Sequence, residues 1–157
     1  MNVVIVVLII IAALFALTYF TKRRFGVLGL ALAAGAMLSD LWASDVTPYI
    51  ERAGLQIVAP PMETIVAAAI TLLPAIVLLF SGPAYAKKSQ RIVGAAAFAL
   101  LAAAFLLEPL GNALVITGDG LKYYTLLSEN RVWIITAGIL FALFDLLTVK
   151  SPKPSKE

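Results

Sequence analysis

Residues 2–24 read NVVIVVLIIIAALFALTYFTKRR, an apolar run that ends in a cluster of basic residues. An α-helix over residues 2–20 would be about 28 Å long, which matches the hydrocarbon core of a bilayer. No charged side chain precedes this run, whereas Lys22, Arg23 and Arg24 follow it. A secretory signal peptide has the opposite order, so the pattern predicts an uncleaved membrane helix whose N-terminus lies outside.

The same pattern recurs along the chain and predicts an all-α, polytopic membrane protein. The 157 residues are 62 % hydrophobic with a mean hydropathy of +0.99, values too high for a water-soluble domain of this length. We expect a single membrane domain over residues 1–149, followed by a disordered cytoplasmic tail over residues 150–157. The five predicted spans are residues 2–20, 25–42, 63–82, 92–115 and 132–149.

Positive charges predict the orientation of these spans, because Lys and Arg accumulate in the loops that stay in the cytoplasm. Most of the 12 basic residues lie in three clusters, and alternating spans place all three clusters on one side. The N-terminus is therefore predicted outside and the C-terminus in the cytoplasm. The clusters are Lys22, Arg23 and Arg24; Lys87, Lys88 and Arg91; and Lys150, Lys153 and Lys156.

The residue types narrow the function classes. The chain has no Cys and no His, so it lacks the thiolates and imidazoles of most metal sites and the commonest general base. No phosphate-loop, dinucleotide, zinc-protease or serine-hydrolase motif is present. We expect no enzyme activity, no cofactor and no metal. The expected partner is the lipid bilayer, with further copies of the chain or other membrane proteins as additional candidates, and nucleic acid is not expected.

Acidic residues at membrane depth are candidates for function. Asp40 lies about 22 Å above the inner end of the second span and Glu108 about 24 Å above that of the fourth, with Glu63 at a similar level. If these carboxylates face one another, desolvation and repulsion would raise a pKa and create an ion or proton site. The alternative is that they lie among the outer headgroups, with Arg52 near one of them. Asp145, at the inner end of the fifth span, is expected to pair with a nearby Lys or Arg.

Small residues on two spans predict close helix packing. They recur three and four residues apart, so each set lies on one face of its helix. The two strips serve either packing within the monomer or association with another copy, and five short spans can satisfy both strips internally. The strips are Gly26, Gly29, Ala33 and Ala36 on the second span, and Gly94, Ala95, Ala99, Ala102 and Ala103 on the fourth.

The two outer segments predict short helices in the membrane interface. Apolar residues recur at helical spacing from Val46, with Thr47 as a cap, Pro48 at the first helical position and Pro60-Pro61 as the stop. An ordinary loop is the alternative for this segment. After the turn residues 118–120, the apolar spacing predicts one further interfacial turn of helix.

The whole layout resembles the bacterial colicin V production protein family of small inner-membrane proteins. The resemblance is carried by Arg24-Phe25-Gly26 at the basic turn and by Arg91-Ile92-Val93-Gly94 at the start of the fourth span. The family usually has Arg-Gly at that turn and an acidic residue where Gln90 stands. The resemblance implies a bacterial cytoplasmic (inner) membrane protein without enzymatic activity, acting as an accessory or scaffold in envelope or toxin-export processes. The acidic residues favour the alternative, a small ion or proton channel or transporter subunit.

Overall fold

The computed structural model describes residues 3–55, 57, 60–113 and 119–148, and every regular element in them is an α-helix. The predicted all-α fold is therefore confirmed. Three of the helices, α2, α3 and α4, are long and apolar enough to cross a membrane. The helices are α1 (Val3–Thr21), α2 (Phe25–Arg52), α3 (Met62–Leu79), α4 (Lys88–Ala113), α5 (Asp119–Glu129) and α6 (Arg131–Leu147).

Helix α2 is the centre of the bundle. It packs along α3 and also contacts α6 and α4, whereas α1 packs mainly against α4. The turns from α1 to α2 and from α3 to α4 lie together with the end of α6. We call this the basic end, because Arg23, Arg24 and Arg91 lie there. The turn from α2 to α3 lies at the opposite end, and so does α5.

The main apolar core fills the half of the bundle nearer the basic end. Its side chains come from α1, α2, α3, α4 and α6, together with the turn residue Tyr85. The largest of them are at most 1 % exposed: Phe25, Leu28 and Leu32 on α2, and Phe98 and Leu101 on α4. A smaller cluster of Ala43, Met62 and Val66 joins α2 to α3 near the opposite end.

Glycines on α2 allow two close helix crossings. A Cβ atom at Gly26 would lie 2.6 Å from the carbonyl oxygen of Ala142, so the backbones of α2 and α6 meet there. A Cβ atom at Gly35 would overlap the carbonyl oxygen of Thr71, where α2 crosses α3. Any side chain at these two positions would force the helices apart, because the atoms it meets belong to backbone.

Both predicted strips of small residues lie inside the monomer. Gly26 and Gly29 are buried against α6, and Ala33 and Ala36 are half-buried. Gly35, which makes the closest approach, is off the predicted strip. The α4 strip is buried throughout, at Gly94, Ala95, Ala99, Ala102 and Ala103. These contacts use the strips for packing within the monomer.

The first outer segment continues α2, so the prediction of a separate amphipathic helix is wrong. Pro48 lies inside the helix and removes the hydrogen bond to the carbonyl of Ser44. Ser44 is exposed, so its free carbonyl can meet water and the helix tolerates the proline. The helix ends at Arg52 and not at the two later prolines, because Gly54 adopts the left-handed conformation at a φ of 94°.

The second outer segment forms α5, which has 11 residues and is longer than the single predicted turn. Its side chains Leu121 and Leu126 are 50 % and 58 % exposed. The hydroxyl of Tyr124 donates a hydrogen bond to the carbonyl of Leu107 on α4 at 3.5 Å. The helix therefore contacts α4 through Tyr124, while Leu121 and Leu126 remain exposed.

Candidate functional site

The two turns at the basic end are joined by backbone hydrogen bonds. The amide of Tyr85 donates to the carbonyl of Lys22 at 2.8 Å, and the amide of Arg24 donates to the carbonyl of Pro83 at 3.2 Å. Lys22 has a positive φ of 60°, which turns the chain sharply between α1 and α2. The first two predicted basic clusters, at residues 22–24 and 87–91, therefore lie at the same end of the bundle.

Three arginines donate hydrogen bonds to carbonyl groups at the C-terminal ends of three different helices. Nε of Arg23 donates to the carbonyl of Leu79 at the end of α3, at 3.0 Å, and its other nitrogens donate to the carbonyls of Phe80 and Gly82. Nη2 of Arg91 donates to the carbonyl of Tyr19 at the end of α1, at 2.9 Å. Arg24 reaches the end of α6. The last carbonyls of a helix lack partners and carry partial negative charge, so each guanidinium is favourably placed.

Arg24 also forms an ion pair with Asp145. Its Nη2 lies 3.0 Å from Oδ1 of Asp145, and the two side chains are only 13 % and 9 % exposed. Oδ2 of Asp145 accepts a hydrogen bond from the amide of Gly26 at 2.9 Å, in the first turn of α2. The predicted pairing of Asp145 with a basic residue is confirmed. The carboxylate joins the end of α6 to the start of α2.

Tyr85 lies beside this ion pair. The guanidinium of Arg24 is 5.3 Å from the centre of the Tyr85 ring. The Tyr85 hydroxyl accepts a hydrogen bond from the amide of Phe25 at 3.1 Å. Burial raises the pKa of Tyr85 above its ordinary value of 10.0, the charge of Asp145 adds to this effect, and the bond from Phe25 opposes it. The phenol therefore keeps its proton at neutral pH.

A groove of about 500 Å³ opens near the opposite end, between α2, α3, α4 and the start of α6. Two of the three predicted acidic residues, Asp40 and Glu63, line this groove together. The third, Glu108, has a side chain outside the described part of the structure, although the next residue, Pro109, lines the groove. Arg131 also lines it. The only sequence signal for Arg131 was its position as an isolated positive charge on the predicted outer side.

Two buried hydroxyl groups lie deeper in the same groove. Ser39 and Thr71 are 6 % and 3 % exposed, and both line the groove. Both hydroxyls donate to the carbonyl oxygen of Ala67, at 3.0 Å and 2.8 Å. Because a hydroxyl has one proton, its oxygen then has only lone pairs left for a further partner. The deep part of the groove therefore presents hydrogen-bond acceptors.

The described residues were compared with the requirements of a metal site, and the whole chain was compared with known proteins. Within the described residues, no three or more acidic side chains group so that they could hold a metal ion. No protein-family model, curated protein or solved structure matches the chain significantly. The resemblance to the colicin V production protein family therefore stays a prediction.

Proposed function

We propose that the chain is a five-span protein of the bacterial cytoplasmic membrane that acts without catalysis, as an accessory or scaffold protein. Helices α1 and α6, with 19 and 17 residues, complete the set of spans beside α2, α3 and α4. At helical rise they are about 28 Å and 26 Å long, close to the thickness of the hydrocarbon core. The charges at the basic end support a cytoplasmic location for that end.

The observation that carries the scaffold role is the apolar packing between the groove and the basic end. The side chains that fill this level include Leu32, Phe98 and Leu101, each at most 1 % exposed. An ion path would need polar groups or water here, since an unpartnered charge at mid-membrane costs about 2.5–3.5 kcal/mol even on lenient scales. Helices packed in this way keep a fixed arrangement, and a scaffold protein needs a fixed surface to bind its partner.

The basic end adds to this argument. Arg23, Arg24 and Arg91 hold the ends of α3, α6 and α1 through direct hydrogen bonds. Alternating-access transport needs helices that separate at each end in turn, and these bonds oppose separation at the basic end. The proposed setting in envelope or toxin export rests on the family resemblance, whereas the scaffold role rests on the packing.

A small ion or proton channel or transporter subunit is the second candidate. The observation that favours it is the groove itself, because Asp40 and Glu63 lie in one polar cavity at the predicted outer side. The two candidates differ in what they predict for the purified protein, since a channel conducts alone and a scaffold acts through a partner.

The deciding experiment combines a flux assay with isolation of the native complex. The full chain is reconstituted in liposomes, and proton and alkali-cation flux are measured against empty liposomes. We expect no excess flux, and we expect the chain to leave the membrane in mild detergent within a complex of defined larger mass. Flux that Asp40→Asn with Glu63→Gln abolishes, while the exposed control Asp45→Asn leaves it intact, would establish the channel and refute the scaffold.

A further inference from the structure

The groove near the opposite end has the size of a ligand site. Its volume of about 500 Å³ falls within the range of about 300–1,000 Å³ typical of small-molecule pockets. Four helices contribute to its walls, so it is an open cleft between helices, in which the side chains of Asp40 and Glu63 are exposed. Acyl chains cannot satisfy the carboxylates of Asp40 and Glu63, and leaving such groups dry is costly, so the groove suits water or a polar ligand.

The charges that line the groove favour a cation. The carboxylates of Asp40 and Glu63 contribute two negative charges, and Arg131 contributes one positive charge. Arg131 also has an interaction partner within the chain. An anion would meet two carboxylates, whereas a cation would be attracted by both.

The hydrogen-bonding groups favour a cation that donates hydrogen bonds. The hydroxyl protons of Ser39 and Thr71 are both taken by the carbonyl of Ala67, which leaves acceptor lone pairs on these two buried oxygens. A primary ammonium has three N–H donors and no acceptor, so it complements such a surface. The ring of Phe105 also lines the groove, and aromatic rings attract organic cations.

The volume of the groove favours an organic cation over a bare metal ion. A metal site needs several oxygen ligands at about 2.0–2.6 Å around one point, which a groove of about 500 Å³ does not impose. The groove instead has room for an ammonium group together with the molecule that carries it.

We propose that this groove binds the primary ammonium group of a small organic molecule, a role beyond the scaffold function. Two sources share this chemistry. One is the headgroup of an ethanolamine phospholipid in the adjoining leaflet, and the other is a soluble polyamine. Both place N–H donors against Asp40, Glu63 and the hydroxyl oxygens of Ser39 and Thr71.

The test is native mass spectrometry of the purified full chain with defined additives. Phosphatidylethanolamine is compared with phosphatidylcholine, which has the same phosphate but a quaternary ammonium without N–H donors, and spermidine is added in a separate series. We expect phosphatidylethanolamine or spermidine to bind about tenfold more tightly than phosphatidylcholine. Phosphatidylcholine lacks at least one hydrogen bond to a charged group, and such a bond contributes about this factor. Binding of the lipid alone assigns the lipid source, and binding of spermidine assigns the soluble source.

The matched variants test the location of the site. Asp40→Asn with Glu63→Gln should weaken binding about tenfold or more, because both charge-assisted bonds are lost. Asp45→Asn is the control, since Asp45 is an exposed acid on the same helix that does not line the groove. If the double variant fails to fold by circular dichroism, each single variant should weaken binding about threefold or more, because the amide keeps an acceptor oxygen and loses only the charge. Equal binding of the two phospholipids without spermidine binding, or binding unchanged in these variants, would overturn the proposal. Neither result depends on flux or on a protein partner.

Discussion

Nη2 of Arg24 lies 3.0 Å from Oδ1 of Asp145, 121 residues further along the chain. This ion pair connects the first turn of α2 to the last turn of α6, at the end of the bundle where the positive charges gather. Arg24 also contacts the ring of Tyr85 in the turn before α4. In the charge pattern Arg24 indicates only the orientation of the chain. In the structure Arg24 also connects three parts of the fold.

Replacing Asp145 with Ala should destabilise the protein strongly. Arg24 would lose its countercharge while remaining 13 % exposed, and the amide of Gly26 would lose its acceptor. Breaking a buried pair in this way costs about 3–5 kcal/mol of unfolding free energy. The measurement is thermal or denaturant unfolding in detergent, followed by circular dichroism.

Two comparisons make this prediction specific. Asp45→Ala, at an exposed position on α2, should change stability by less than about 0.5 kcal/mol. Arg24→Ala combined with Asp145→Ala should cost less than the sum of the single changes, because the second change removes a charge already left unpaired. Strict additivity would contradict a direct interaction between the two side chains.

Replacing Gly35 with Ala should be much more harmful than replacing Gly138 with Ala. At Gly35 a Cβ atom overlaps the carbonyl of Thr71, and backbone of this kind moves only if α2 and α3 separate. At Gly138 the nearest atom is Cδ1 of Leu101, 2.7 Å away, at the flexible end of a side chain. Overpacking costs about 1–3 kcal/mol, against a gain of about 1 kcal/mol in helix propensity. Unfolding midpoints should fall for Gly35→Ala and change little for Gly138→Ala, and equal midpoints would refute the close crossing.

Tyr85 should make stability depend on pH in the alkaline range. Its pKa is raised by burial, so the native state holds the phenol proton more tightly than the unfolded chain. This contribution is complete below the unfolded pKa of about 10 and is lost as the pH rises through the native pKa. The stability difference between the wild type and Tyr85→Phe should therefore shrink as the pH rises above about 10. Tyr49→Phe, at a side chain that is 71 % exposed, is the control, and an identical trend there would contradict the role of Tyr85.

The orientation can be tested with single cysteines, because the natural chain has no Cys. Ser89 follows the basic cluster at the start of α4, and Ser128 lies on α5 near the opposite end; both are exposed. In intact cells a membrane-impermeant thiol reagent should label Ser128→Cys and leave Ser89→Cys unlabelled until the cells are opened. Labelling with the reverse pattern would invert the proposed topology.

The sequence by itself determined the approximate positions of the apolar helices and the end at which the first two basic clusters lie. Both follow from local composition, since apolar runs of membrane length have few alternatives to a helix and Lys and Arg can be counted beside each run. Close helix packing at Gly26 and the pairing of Asp145 with a basic residue were also predictable, because both depend on residue type and spacing. The end of the second helix was not predictable in this way, because Pro48 is compatible with a helix start although α2 continues through it to Arg52.

Only the tertiary structure decided which residues meet. The pairing of Asp145 with Arg24, among several basic residues nearby, depends on how α6 is rotated and placed against α2. The close crossing of α2 and α3 at Gly35 also depends on how the helices are placed. So does the groove that brings Asp40 and Glu63 together with Arg131. Helical periodicity fixes which side chains share a face, but it does not fix which neighbour that face meets. That choice belongs to the packing of all the helices at once.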